Sequence, residues 1–338
     1  MNFHEVMNSP AYNFLRTNPR LGKRIIMLGL AGSYAYGTNN ENSDIDFRGI
    51  TLNTPSDLLG LTDFEQYEDK NTDTVVYGFN KIIRLFLECN PNSIEMLGLD
   101  PDQYLTLSPI GQELLEHKDI FLSKRAARSF GGYAGAQLRR LQNALARDAM
   151  PQAEREQHIY RSVTNALEDF NRKNAWTNQG NLRLYIDDSD NPDFDTEIFV
   201  DAEYRHLPLR DYMDMFGTMS NVVHEYDRIG KRNRKKDSNH LNKHAMHLIR
   251  LLITGIDILE KGEIRTYRVK ELQLLRSIRR GDFMKEDGTY AQEFYDMLAD
   301  YENRLKAATE KSPLPDNPDM NRVEEFVESV NRRAIDLL

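Results

Sequence analysis

Two aspartates one residue apart, Asp44 and Asp46, follow a Gly-Ser pair at 32–33 in the stretch AGSYAYGTNNENSDIDFRG. On a strand, side chains two positions apart share a face. Asp44, Asp46 and Arg48 are therefore expected to project together, with Ile45 and Phe47 to the other side. Neighbouring carboxylates repel unless a cation lies between them, and hard oxygen donors suit Mg²⁺ or Mn²⁺. An arbitrary D-x-D is more often a solvated loop edge. Here, however, Gly32 and Ser33 stand between an apolar run and a short helical turn, where free backbone N–H groups favour an anion. Glycine also lets a phosphate approach the backbone closely. Ser33 as a simple helix N-cap is the plainer account of the serine alone. An anion cradle just ahead of a carboxylate pair is what a metal-bridged polyphosphate requires.

These residues need elements to position them. RIIMLGL (24–30) reads as a buried strand, 33–37 as the first turn of a helix, and DIDFRGITL (44–52) as an alternating strand. TVVYGF (74–79) is a further strand leading into a helix over 80–90, which ends before Pro91 because the residue preceding proline resists helical dihedrals. From about 108 onward helical periodicity dominates, with helices expected at 208–229, 239–261, 268–280, 288–310 and 319–336. LRLYID and TEIFVD, inside an Asn- and Asp-rich stretch at 176–207, suggest a hairpin. The expected class is α+β: an N-terminal α/β domain with a small mixed sheet over 1–120, and a mainly helical domain over 121–338 that completes the cleft.

The helix around 239–261 places Lys243, His247 and Arg250 at i, i+4 and i+7, a single face able to offer up to three positive groups to a triphosphate. An exposed stripe facing solvent is the competing account. His240, His244 and His247 lack the glutamate and cysteine partners of a zinc site. The SFGGYAG stretch (129–135) is most simply read as close helix packing.

The net charge of −9 argues against a surface that coats nucleic acid throughout, although KRNRKK (231–236) is a local basic run. Cys89 is the only cysteine, which rules out an internal disulfide and a thiolate zinc site. The N-terminus lacks a signal-peptide pattern, and no apolar run approaches the ~20 residues that cross a bilayer. A cytoplasmic protein without membrane partners is expected.

The string G-S-x-A-x-G-T-x-x-x-x-S-D-I-D-x-R-G resembles the DNA polymerase β-like nucleotidyltransferase superfamily. SDIDFRG, DTVVYGFNKIIRLFLECNPNSIEML and SFGGYAGAQLRRL look more narrowly like a bacterial and phage branch that includes RNA-ligase-associated polymerase-like proteins. KHAMHLIRLL and IRRGDF extend the likeness into the second half. The resemblance implies Mg²⁺ (or Mn²⁺) on Asp44 and Asp46, with Gly32 and Ser33 cradling the β- and γ-phosphates of an NTP. A third acid would come from a later strand. Asp73 is the choice, with Glu68, Asp69 and Glu95 as rivals. Arg48 would hold an aspartate or reach a phosphate. An NMP would pass to an acceptor hydroxyl, an RNA or tRNA end being favoured. A protein side chain, a small molecule, or a non-catalytic regulatory or antitoxin-like role are the alternatives.

Overall fold

The computed structural model describes residues 2–41, 43–149, 168, 171–172, 180–188, 196–232 and 238–336. The chain opens with short helices α1 (Phe3–Met7) and α2 (Phe14–Thr17), then β1 (Ile25–Ala31), α3 (Gly32–Tyr36), β2 (Asp46–Thr51) and α4 (Pro55–Leu59). There follow β3 (Gln66–Asp69), β4 (Thr74–Gly78), α5 (Phe79–Leu87), α6 (Pro91–Ile94), β5 (Tyr104–Leu107), α7 (Pro109–Glu116) and the long α8 (Arg125–Ala149). The remainder is the hairpin β6 (Gly180–Asp188) and β7 (Thr196–Tyr204), then α9 (Leu209–Arg232), α10 (Ser238–Lys261), α11 (Leu272–Arg280), α12 (Gln292–Lys311) and α13 (Met320–Asp336).

The first five strands form one mixed sheet in the order β3-β4-β2-β1-β5. β1 runs antiparallel to β2 and β5, whereas β2 and β4 are parallel. β1 is buried from Ile25 to Leu30, which explains an apolar run without alternation: a strand covered on both faces has no polar side. Leu28, Leu30, Phe47 and Val76 pack with Tyr12 and Leu15 from the N-terminal segment. The amphipathic α5 buries Phe79, Ile82, Ile83 and Phe86, and its phenylalanines meet Phe121 and Phe326 at ring-centroid distances of 5.6 and 6.2 Å.

The C-terminal helices do not form a compact body of their own beyond residue 120. One compact unit comprises Met1–Gln142 with Ser238–Leu338, and a second comprises Asn143–Asp237. Polar contacts stitch the first unit together: the Thr266 N–H donates to Gly98 O (2.9 Å), Arg276 Nε to Gly37 O (2.9 Å), and Arg333 holds Glu113 through two nitrogens. The second unit contains the expected hairpin, paired from Gly180↔Tyr204 to Asp188↔Thr196. Among the described residues no helix is long and apolar enough to cross a membrane. The strands β3 and β5, short and partly polar, were not evident from periodicity.

Candidate active site

β2 begins at Asp46, so the strand alternation does not reach back to Asp44, which is exposed on the approach to the strand. A different acid stands beside Asp46. Parallel pairing of Phe47 with Thr74 brings the starts of β2 and β4 level, which sets Asp73 against Asp46. Asp73 has φ +44, a left-handed conformation that aspartate tolerates better than most residues. Arg48 fixes it: Nη2 donates to Asp73 Oδ1 (3.0 Å), and Nη1 donates to the backbone carbonyls of Phe47 (3.0 Å) and Asp73. Of the two roles open to Arg48, holding an aspartate is the one it performs here.

Burial first, and then the neighbouring Asp73 carboxylate, push Asp46 up to about 6, with Arg48 and Lys243 pulling the other way. Without a cation, Asp46 therefore keeps its proton to a higher pH than a free aspartate does. Gly32 completes this corner. Its φ is +57, and a Cβ there would collide with Oδ2 of Asp46, so both the conformation and the space demand glycine. The N-cap of α3 is Ala31, with no side-chain cap bond. Ser33 therefore does not act as the cap, and its carbonyl accepts the Thr38 N–H at 2.9 Å.

The rival acids have other work. Asp69 Oδ1 accepts from Asn71 N–H, Thr72 N–H and the Thr72 hydroxyl, capping the β3–β4 turn. Glu68 is exposed on the edge strand β3. Glu95 is buried in an ion pair with Arg250, and the Tyr36 hydroxyl donates to its other oxygen at 2.8 Å. The Arg250 guanidinium lies 3.8 Å from the centroid of the Tyr36 ring.

That clamp corrects the expected cationic stripe. Arg250 is only 4 % exposed and is spent on Glu95 and Tyr36, so it does not face a ligand. His247 is held well below its ordinary value by burial, then by Arg250 and Lys243, and is neutral at physiological pH. A helix packed on a sheet turns one end of any long stripe inward, and only Lys243 remains as an exposed positive group near Asp46.

Periodicity in α11 held a signal with no role attached. Arg276, Arg279 and Arg280 recur at i, i+3 and i+4, and with Thr38 and Asn39 they line a cavity of about 390 Å³ just past the C-terminal end of α3. The Thr38 hydroxyl is buried there without a partner. The basic run at 231–236 lies outside the residues whose side chains are described.

Residues 7–165 match the family model of the RNA repair pathway DNA polymerase beta family. That span, a little under half of the chain, is similar to this family. The matched span contains the five-stranded sheet, the GS turn and all three acids, so the likeness to a polymerase β-like family rests on the part that carries the site. No curated protein and no solved structure matches the chain.

The oxygen donors of Asp46 and Asp73, side by side and with Asp46 raised by burial and by its neighbour's charge, fit the hard metal ion such a family implies. Among the described residues no three His, Cys, Asp or Glu side chains gather into a site by themselves.

Proposed function

We propose that this protein is a divalent-metal-dependent nucleotidyltransferase that moves an NMP from an NTP to a hydroxyl at an RNA end, releasing pyrophosphate. The observation that carries the reading is the Asp46–Asp73 contact, set against a glycine that has given up its side chain for it. Asp46 and Asp73 would hold the metal, with Asp44 as a further donor on the approach to β2. Bound there, Mg²⁺ supplies charge neutralisation and lowers the pKa of the attacking hydroxyl.

The chain's own groups do the positioning. Arg48 fixes the orientation of Asp73 and thereby of the oxygens that face Asp46. Gly32 and Ser33 admit the triphosphate close to the backbone at the end of β1. Lys243 adds a positive charge on the facing helix, and neutral His247 offers a hydrogen bond rather than a charge. The Glu95–Arg250–Tyr36 clamp holds α3 and α10 in fixed register, so the phosphate cradle and Lys243 cannot drift apart.

Each of the four α-³²P-labelled NTPs, with Mg²⁺ or Mn²⁺, is incubated with single-stranded RNA, tRNA and bulk protein. Label is expected on RNA ends, with turnover lowered at least about 10³-fold in Asp46→Ala. Label on protein alone would overturn the RNA acceptor, and full turnover in Asp46→Ala would overturn the site.

A further inference from the structure

α8 is strongly basic. It carries five arginines and a single acid, Asp148, in a protein of net charge −9. A groove of about 1160 Å³ runs along one of its faces, lined by Arg125, Arg128, Gly132, Tyr133, Gln137 and Arg140, with Asn90 and Asn92 opposite. The acid bordering it, Glu88, is taken up by Arg125 at 2.7 Å. Arg128 and Arg140 are exposed. Twelve residues of helix separate them, about 18 Å, a distance that a few nucleotides span.

Of the three glycines of this helix, Gly131 lies against Leu305, where a Cβ would come within 3.6 Å, but the other two are open. A Cβ on Gly132 would meet nothing within 4 Å, and one on Gly135 would meet only Arg139 Nη1 at 3.8 Å. Glycine inside a helix costs about 1 kcal/mol relative to alanine. No close neighbour accounts for that cost at Gly132, which forms an open floor in the groove. Side chains on both walls of the groove also meet groups near the elements that carry the acid pair. Asn90 Nδ2 donates to the Tyr133 hydroxyl (3.2 Å), and Tyr133 lies within electrostatic reach of Tyr77 on β4, which Arg48 also faces. On the other wall Gln137 bonds His244 (2.9 Å), next to Lys243 on α10.

We propose that this groove is the track for the acceptor strand: a single-stranded RNA segment whose phosphates engage Arg128 and Arg140 and whose bases stack on Tyr133, with its end delivered to Asp46 and Asp73. Cations spaced along a helix with an aromatic and amides between them suit a flexible strand with exposed bases. This deepens the proposed transfer to RNA and rests on it for the direction in which the strand lies.

The test is equilibrium binding of a fluorescent single-stranded oligoribonucleotide to the full chain without NTP. Binding of a fluorescent ATP analogue is measured in parallel. The R128E/R140E double variant is expected to weaken RNA binding at least about tenfold. In R128A/R140A the slope of log K against log salt should fall by about 1.4, the share of two phosphate contacts on a single strand. Gly132→Leu should block the floor and weaken RNA binding without lowering Tm. ATP-analogue binding should be unchanged in all three. No RNA binding by the wild type, unchanged RNA affinity in the variants, or equal loss of analogue binding would each overturn the groove. If labelled NMP reaches RNA while R128E/R140E keeps its Kd and KM for RNA, the groove falls and the transfer stands. If RNA binds through these arginines while label goes only to protein, the transfer to RNA falls and the groove stands.

Discussion

Glu95 and Asp46 lie in the same compact unit and are treated in opposite ways. Glu95 is surrounded: Arg250 neutralises it, Tyr36 donates to it, and Arg250 stacks on that same tyrosine. Asp46 meets another carboxylate instead, with Lys243 nearby and Arg48 turned to Asp73. A balanced buried charge holds elements in register, whereas acids set against each other are a standing cost that makes sense where a cation is to be bound.

The difference is sharpest on removing one partner. Arg250→Ala leaves Glu95 buried without its cation and is expected to cost about 3–5 kcal/mol in denaturant unfolding. Replacing both, as Glu95→Gln with Arg250→Met, should recover most of that loss. At the acid pair the partner is added rather than removed. Mg²⁺ with NTP at about a hundred times Kd should stabilise the wild type by about 2.7 kcal/mol in a thermal shift, and Asp73→Asn by much less. Gly32→Ala puts a methyl against Asp46 at a positive φ and should cost ~1–2 kcal/mol together with NTP affinity. The smallest effect is at His247, whose value is depressed in the folded chain. Below pH 6.5 the unfolded chain gains a proton that the folded chain refuses, so stability falls as the pH drops through that range. His247→Gln should flatten this acid-side loss between about pH 5 and 6.5.

Much of this was legible in the residues. The apolar run of β1, the alternation of β2 and the amphipathic α5 announce themselves through burial, because a core selects residue type directly. The place of Asp73 beside Asp46 was legible because parallel pairing brings the starts of β2 and β4 level. Asp44 was misplaced because alternation says nothing about where a strand begins. Arg250 was misread because helical spacing identifies a face but not how deeply each end of it is buried. The packing expected of the SFGGYAG stretch holds at Gly131, beside Leu305, but not at Gly132, which faces open space. A sequence marks the missing side chain but not whether the space is filled.

Thermal unfolding of wild type and Asp46→Asn at pH 7.5, with and without Mg²⁺ and NTP, tests the acid pair most directly. Asp46 is raised from 3.8 to about 6. The folded chain therefore holds its proton more tightly than the unfolded one, and metal-free stability falls as pH rises between those values and stays lower above them. Asp46→Asn is expected to melt higher than the wild type without metal, and to lose both the Mg²⁺–NTP shift and the transfer activity. A variant that melts lower and still responds to Mg²⁺ and NTP like the wild type would contradict the account.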